Sequence, residues 1–543
     1  MSRKFTGIGV CPGVASAPVY KIETNETHHD QEVSWQEIAE ALNKSAEYLE
    51  DKAKKIELKV AKEVLEAQSL MARDPDLLEK IKESMGDSKK SARITLDTTL
   101  EDFKKNLLSL GEYFAERVAD LDEIKKLTLN NLLGIEEFDL KITSNSIVIA
   151  DDLSPADTAS MNLEFVKGLV VAKGGPTSHT AIVARNLGIP AIVGCKNIDS
   201  IKDGMTVLIN GRTGELFENP DQDQVNKEVA KENEFKAKFK SVSGPGKLKD
   251  GTPINLLANC GNAEDAKRSL QNEAEGIGLF RTELLYLNQF SAPTISEQVK
   301  IYSEIFEIFK GKKVIIRTLD AGSDKPVPFL NSLKEENPAL GVRGWRLIRE
   351  FPEVIKDQIK AIAIAQESAN CDVWVMAPMI DTAEEALEFS NLARENGIKK
   401  VGVMIETPSA ALVSDQIFEI FDFASFGTND LTQYVMAADR LDSRLSDLTN
   451  SWHPAVLRII ELVGKNAKNK SLGVCGEAAA DPQLAAVLIG LGVNSLSMAS
   501  NSIAEVKSFI ATQDLHKCQE VAQEVLKTKN ANEAKNLAIK LFN

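Results

Sequence analysis

The stretch Gly174-Gly175-Pro176-Thr177-Ser178-His179-Thr180 puts an imidazole where a phosphoryl group can be carried. An apolar run, Gly168-Leu169-Val170-Val171-Ala172, predicts a strand just before the glycine pair, and residues 178–187 predict a helix just after it. Ser178 is the expected N-cap, and Gly188 with Pro190 is the expected stop. First-turn amides have no intrahelical acceptor and the positive end of the helix dipole lies there, so an anion is stabilised. A phosphorylated imidazole at that point would find backbone donors for its oxygens. A lone histidine at a helix start is ordinarily inert. The glycine pair, the hydroxyls of Thr177, Ser178 and Thr180, and Arg185 two turns on favour phosphohistidine instead.

A second set of reactive residues lies in the C-terminal half, each near the end of an apolar run or in the loop that follows: Arg281, Arg317, Arg343, Glu406, Asn429, Asp430, Arg440 and Cys475. Glu406 and Asp430 are two carboxylates able to hold Mg²⁺, whose remaining ligands are substrate oxygens and water. Arg281, Arg317, Arg343 and Arg440 suit a small ligand that bears both phosphate and carboxylate, because guanidinium pairs bidentately with either. Together with the metal they would neutralise a phosphoryl group in flight. One such arginine is usually a solvated face; four at such places are harder to dismiss. Cys475, in Gly473-Val474-Cys475-Gly476-Glu477, is either core or a proton donor. Its ordinary pKa of about 8.5 keeps the thiol protonated at neutral pH.

The elements that must place these residues follow from periodicity. From residue 251 onward eight apolar runs alternate with helical stretches: 254–260, 276–280, 313–317, 372–378, 400–405, 421–426, 472–475 and 494–498. That alternation predicts a (β/α)8 TIM barrel with its active site at the C-terminal strand ends. Residues 5–22 predict short strands broken by Gly and Pro, and strands resume at 146–150, 169–171, 189–193 and 206–210. Between them the box Ser34-Trp35-Gln36-Glu37 opens a helical unit, with Ile38, Leu42, Leu49 and Ala53, then Leu100, Phe103 and Leu107, at helical spacing. Asp74-Pro75-Asp76 caps a further helix. The expected organisation is a discontinuous α/β domain from 1–33 and 143–220, an inserted all-helical domain over 34–142, a charged helical linker or hinge over 221–250, and the barrel over 251–543. The class is therefore multidomain α/β.

Composition bounds the partners. The 543 residues carry 64 Lys and Arg against 80 Asp and Glu, a net charge of −16, which argues against binding a nucleic-acid backbone. The six cysteines are dispersed without a CxxC pair, so neither a disulfide framework nor a zinc site is expected. No apolar run of about 18 residues appears, and the N-terminus is too interrupted for a signal peptide, so a cytoplasmic protein without membrane insertion is expected.

These residues resemble the phosphoenolpyruvate–protein phosphotransferases, enzyme I of the bacterial sugar phosphotransferase system. The resemblance runs end to end through Gly174–Arg185, Glu275–Glu283, Arg317–Asp320, Asn337–Arg343, Val403–Pro408, Gly427–Tyr434 and Val474–Glu477. It implies that phosphoenolpyruvate and Mg²⁺ bind at the barrel top and that His179 attacks phosphorus through Nε2. Cys475 would protonate the pyruvate enolate, and phospho-His179 would pass its group to a histidine of the carrier HPr, docked on the inserted helices. Thr158 matches a threonine that orients the imidazole. Arg281, Arg317, Arg343, Asn429 and Arg440 match substrate ligands, and Glu406 and Asp430 the metal ligands. The family dimerises through its barrel, and the histidine domain is expected to swing between substrate and carrier.

Pro176 departs from the family, which often has arginine there; the lost charge bears on carrier affinity or phosphohistidine lability. Leu70 and Met71 are candidates for carrier docking, against a buried hairpin tip. Pyruvate phosphate dikinase and phosphoenolpyruvate synthase share a similar histidine domain and barrel but need an ATP-grasp domain, for which the N-terminal third has no phosphate-cradling glycine loop. A nitrogen-branch paralogue would carry a sensory domain ahead of Phe5, so the sugar system is preferred. A scaffold that has lost catalysis would show gaps among the catalytic positions, and there are none.

Overall fold

The computed structural model describes residues 3–22, 32–55, 59–86, 88–109, 112–133, 142–153, 157, 161–162, 164–174, 180–181, 183–184, 188–239, 244–286, 291–321, 327–330, 335, 337–440, 445 and 448–543. The chain divides into two compact units, Met1–Phe235 and Lys236–Asn543.

In the first unit one sheet draws strands from both sides of a helical insert. β1 (Lys4–Thr6), β2 (Ile8–Cys11) and β3 (Val14–Lys21) precede the insert. After it come β6 (Ser146–Ala150), β7 (Val166–Val171), β8 (Ala191–Val193), β9 (Thr206–Asn210) and β10 (Glu215–Glu218), in the order β1-β10-β9-β3-β6-β7-β8-β2. Residues 147–150 of β6 and 168–171 of β7 are continuously apolar and buried because both faces are covered there. Ile147, Ile149 and Val170 join one core, while Val148, Ala150, Leu169 and Val171 join the other. Thr180, Ala181, Val183 and Ala184 are helical and Gly188 takes a φ of +66°, while the other residues of the expected helix lie outside the described residues.

The insert holds α1 (Trp35–Lys55), α2 (Lys59–Ala72), α3 (Pro75–Met85), α4 (Ala92–Ser109) and α5 (Glu112–Leu132). Its entry is the expected capping box: the Ser34 amide donates to Glu37 at 2.8 Å and the Glu37 amide to Ser34 Oγ at 3.4 Å. Asp74 caps α3 by accepting from the Asp76 amide at 2.8 Å. Ile38, Leu42, Leu77, Ile81, Leu96, Leu100, Leu121 and Ile124 meet in its core. One detail is not helical: β4 (Glu32–Val33) pairs antiparallel with β5 (Lys90–Ser91) and ties the entry strand to the start of α4. After β10, α6 (Gln222–Phe239) lies against the sheet through charge. Buried Glu228 accepts from Asn210 at 3.2 Å, and buried Glu232 takes Arg212 Nε at 3.3 Å and Nη2 at 3.4 Å. That polar contact explains why α6 has so few apolar positions.

The second unit is a closed all-parallel barrel of β11 (Asn255–Cys260), β12 (Gly276–Arg281), β13 (Lys313–Arg317), β14 (Asp372–Ala377), β15 (Val401–Ile405), β16 (Phe423–Gly427), β17 (Ser471–Cys475) and β18 (Ser495–Met498). β18 pairs with β11 to complete it. The expected architecture, an α/β domain with a helical insert followed by an eightfold barrel, is the one observed. Alternate residues of each strand fill the interior, where Leu257, Leu279, Ile315, Met376, Met404, Phe423 and Cys475 pack together. At the N-terminal strand ends the Lys313 ammonium lies 3.8 Å from the centre of the Trp374 ring, which in turn packs on Phe423 with centroids 4.7 Å apart. Gly402 makes room for that phenyl ring, since a Cβ there would sit 2.4 Å from it. Gly402→Ala should therefore cost about 1–3 kcal/mol by overpacking the barrel floor. Urea denaturation checks this; an unchanged midpoint would mean that the ring yields freely.

Candidate active site

The period of two that fills the barrel also carries its polar residues to the mouth. On β13 the inward positions Lys313, Ile315 and Arg317 climb from floor to rim. On β15 Gly402 and Met404 lead to Glu406, and β17 ends at Cys475. The Arg317 guanidinium touches Met404 Sδ at 3.6 Å, and Gly427 leaves space for Glu406, whose Oε2 lies 2.6 Å from where a Cβ would stand.

Acids and guanidiniums alternate across this mouth. Arg317 donates from Nη2 to Glu283 at 2.6 Å and pairs through Nη1 with Asp320 at 2.9 Å. Asp320 accepts from Arg343 Nη2 on both oxygens at 3.1 Å and from Nε at 3.3 Å. Arg343 Nη1 reaches Asp430 at 3.0 Å, and the same Asp430 oxygen takes Arg440 Nη1 at 3.2 Å. Arg343 and Asp320 are fully buried. Burial works against charge on Arg317, yet Glu283, Asp320 and Glu406 more than reverse this and hold the guanidinium above its ordinary value.

Among the described residues, four buried polar atoms of this region find no hydrogen-bond partner: Glu283 Oε2, Arg317 Nε, Glu406 Oε2 and Thr428 Oγ1. A buried group left unpaired costs about 1–3 kcal/mol, so their gathering at the strand ends points to a ligand that supplies the partners. Glu406 is the extreme case. Its Oε1 accepts from the Met379 amide at 2.8 Å while Oε2 faces no donor. Burial, reinforced by Asp430 and Asp320 and opposed by Arg317 and Arg343, raises its carboxyl to about 8. Cys475 is buried, donates to the Phe426 carbonyl at 3.2 Å, and is pushed by burial to about 11, which keeps it a thiol at neutral pH. Arg281 at the end of β12 and Asn429 in the first turn of the helix Thr428–Met436 are exposed. The structure thus brings Arg317, Arg343, Glu406, Asp430 and Arg440 together. His179, Thr158, Pro176 and Arg185 lie outside the described residues.

Residues 236–515 match the PEP-binding domain of the PEP-utilising enzymes, 142–214 their mobile domain, and 6–117 their N-terminal domain. A phosphoenolpyruvate-protein phosphotransferase of Streptomyces coelicolor is 41% identical over 88% of this chain and 87% of its own. One from Bacillus subtilis is 36% identical over 98% of both chains, and one from Priestia megaterium 37% over 94% of both. The chain belongs to the phosphoenolpyruvate–protein phosphotransferase family.

For a member of this family the residues present fit a divalent cation. Glu406 Oε2 is a buried carboxylate oxygen awaiting a partner, and Asp430 stands near enough to raise the Glu406 carboxyl. Among the described residues no group of three or more His, Cys, Asp and Glu is placed to hold an ion, so substrate oxygens and water would complete the shell. Several residues of this mouth have no role that the sequence discloses. Asp320 closes the stretch Arg317–Asp320 and Glu283 the stretch Glu275–Glu283, where neither is marked off from an ordinary acid. Met379 had no signal at all: it takes a φ of +55°, unusual for a side chain of its size, and so aims its amide at Glu406. Gly344, at φ +58°, presses against it, since a Cβ on that glycine would stand only 2.8 Å from Met379 Cβ.

The raised Glu406 carboxyl has a measurable consequence for the metal-free protein. In the unfolded chain the group ionises near 4.5, and in the folded barrel only around 8. Between those values the folded state holds a proton that the unfolded state has lost, so raising pH across the window removes stability. Glu406→Gln lacks this titration. In EDTA, the wild-type thermal midpoint should therefore fall relative to Glu406→Gln from pH 5 to pH 8; parallel curves would show that Glu406 ionises normally.

Proposed function

We propose that this protein moves the phosphoryl group of phosphoenolpyruvate to His179 and then to a histidine of the carrier HPr, the first step of sugar uptake by the phosphotransferase system. The observation that carries the reading is the barrel mouth, where partnerless buried atoms of Glu283, Arg317, Glu406 and Thr428 lie among guanidiniums. Three relatives that share the chain nearly end to end and are named phosphoenolpyruvate-protein phosphotransferases support it.

Arg281, Arg317, Arg343 and Arg440, with Asn429, bind the phosphate and carboxylate of the substrate. Glu406 and Asp430 hold Mg²⁺, which when bound screens the charge on the phosphoryl oxygens. His179, oriented by Thr158, attacks phosphorus through Nε2: the N–P bond forms, the bridging P–O bond breaks, and the electron pair leaves with the enolate of pyruvate. Cys475 delivers its proton to the methylene carbon of that enolate and recovers one from water. Its high pKa keeps the proton in place until a strong base such as the enolate forms. Confining nucleophile and donor together supplies a large effective molarity, so the histidine domain docks on the barrel rather than reacting at a distance.

The roles divide as 1–33 with 143–220 for the phosphohistidine, 34–142 for HPr, 221–250 for the hinge, and 251–543 for phosphoenolpyruvate and dimerisation. Within that hinge Glu228 and Glu232 fasten α6 to Asn210 and Arg212, which supports a pivot C-terminal to Glu232. On the insert Leu70 is 73% exposed and supports a docking role, whereas Met71 is half-buried against the core. Ile364, Leu387 and Leu412 are exposed on three successive barrel helices and support a homodimer through the barrel. No helix among the described residues is long and apolar enough to cross a membrane, and a cytoplasmic place suits a soluble carrier.

Incubation with labelled phosphoenolpyruvate, Mg²⁺ and HPr tests the relay. Acid-labile label should appear on the wild type, chase onto HPr, and be absent from His179→Ala. Transfer by His179→Ala would end the reading. Glu406→Ala should lose loading from phosphoenolpyruvate yet still accept phosphate back from phospho-HPr. For the dimer, Leu387→Glu should move the sedimenting species toward monomer, and an unchanged dimer would place the interface elsewhere.

A further inference from the structure

Asp320 stands apart from the substrate and metal ligands named above, yet it joins two of them, Arg317 and Arg343, at once. It follows β13 by three residues, so the strand end that delivers Arg317 also delivers its acceptor. Both carboxylate oxygens accept from Arg343 Nη2 at 3.1 Å, with Arg343 Nε at 3.3 Å, and Arg317 Nη1 lies 2.9 Å from Oδ2. Asp320, Arg343 and Arg317 are all buried. A guanidinium has five donors in a rigid plane, so a carboxylate that grips one edge fixes the direction of the others. Asp320 takes the Nε and Nη2 side of Arg343 and leaves Nη1 pointing toward Asp430 and Tyr434. On Arg317 it takes Nη1 while Glu283 takes Nη2, which leaves the partnerless Nε.

We propose that Asp320 is a positioning residue that aims Arg317 and Arg343 together at the anionic substrate. This rests on the reading that those arginines bind phosphoenolpyruvate. Two opposed consequences follow from its removal, and they separate aiming from simple neutralisation. If Asp320 only screened positive charge, deleting its charge would strengthen the pull on an anion. If it aims the guanidiniums, deletion frees them to collapse onto Glu283 and Asp430, and the anion binds less well.

Calorimetric titration of phosphoenolpyruvate with Mg²⁺ into the full chain decides between them. A His179→Ala background prevents turnover, and the fitted stoichiometry reports the folded fraction separately from affinity. Asp320→Asn is expected to weaken the dissociation constant at least tenfold at unchanged stoichiometry. An unchanged or tighter constant overturns the proposal, as does a drop in stoichiometry alone. Asp320→Glu keeps the charge but shifts the carboxylate by one methylene from the position that pairs it with both guanidiniums, and it should also weaken binding; wild-type affinity there overturns aiming. It is the variant read if Asp320→Asn does not fold. Arg440→Ala, at a half-buried position, serves as the reference for the underlying reading. Weaker binding by Arg440→Ala with none by Asp320→Asn would sink the proposal alone, and no change in either would sink both.

Discussion

The alternation of carboxylate and guanidinium across the barrel mouth is the constraint on which the rest of this structure depends. Glu283, Arg317, Asp320, Arg343, Asp430 and Arg440 form one continuous chain of ion pairs, all of whose members except Arg440 are buried. Each buried ion carries a desolvation penalty of several kcal/mol, which is tolerable only with well-placed partners. The partners must come from different loops, after β12, β13 and β16, and only a closed parallel barrel brings those loops to one rim. A hydrophobic core of the same volume would be at least as stable, so the charges are held for what they bind.

The incompleteness of that network is equally telling. A folded protein rarely buries polar atoms without partners, and here several gather where an anion with a cation would supply them. The strained backbone of Met379 belongs to the same arrangement, since it satisfies one Glu406 oxygen and leaves the other free. Floor and mouth of the barrel are thus opposites: Lys313, Trp374 and Phe423 close one end tightly, and the other end is left short of partners.

In the first unit the same logic is applied to a sheet rather than a barrel. Apolar strands covered on both faces form a platform, and Gly174 and the helical residues Thr180, Ala181, Val183 and Ala184 follow its strand β7. The acidic pair Glu228 and Glu232 ties the first part of α6 to that platform through Asn210 and Arg212.

Much of this was legible in the residues themselves. Apolar runs alternating with helical stretches marked all eight barrel strands, the boxes at Ser34 and Asp74 marked helix starts, and arginines and acids near strand ends or in the loops beyond them marked a mouth that handles an anion. These are local signals, because strand alternation and caps are set by neighbours in sequence. What the chain could not disclose alone is which charges meet. Asp320 reads as an ordinary acid three residues after an arginine, and only the fold brings Arg343 to it across a loop. Glu406 reads as any carboxylate, and its raised pKa comes from burial and from acids distant in sequence. Met379 carries no mark at all, since a left-handed backbone at a bulky residue is imposed by what packs around it. Pairing, burial and strain depend on distances between segments far apart in the chain, and those distances exist only once it has folded.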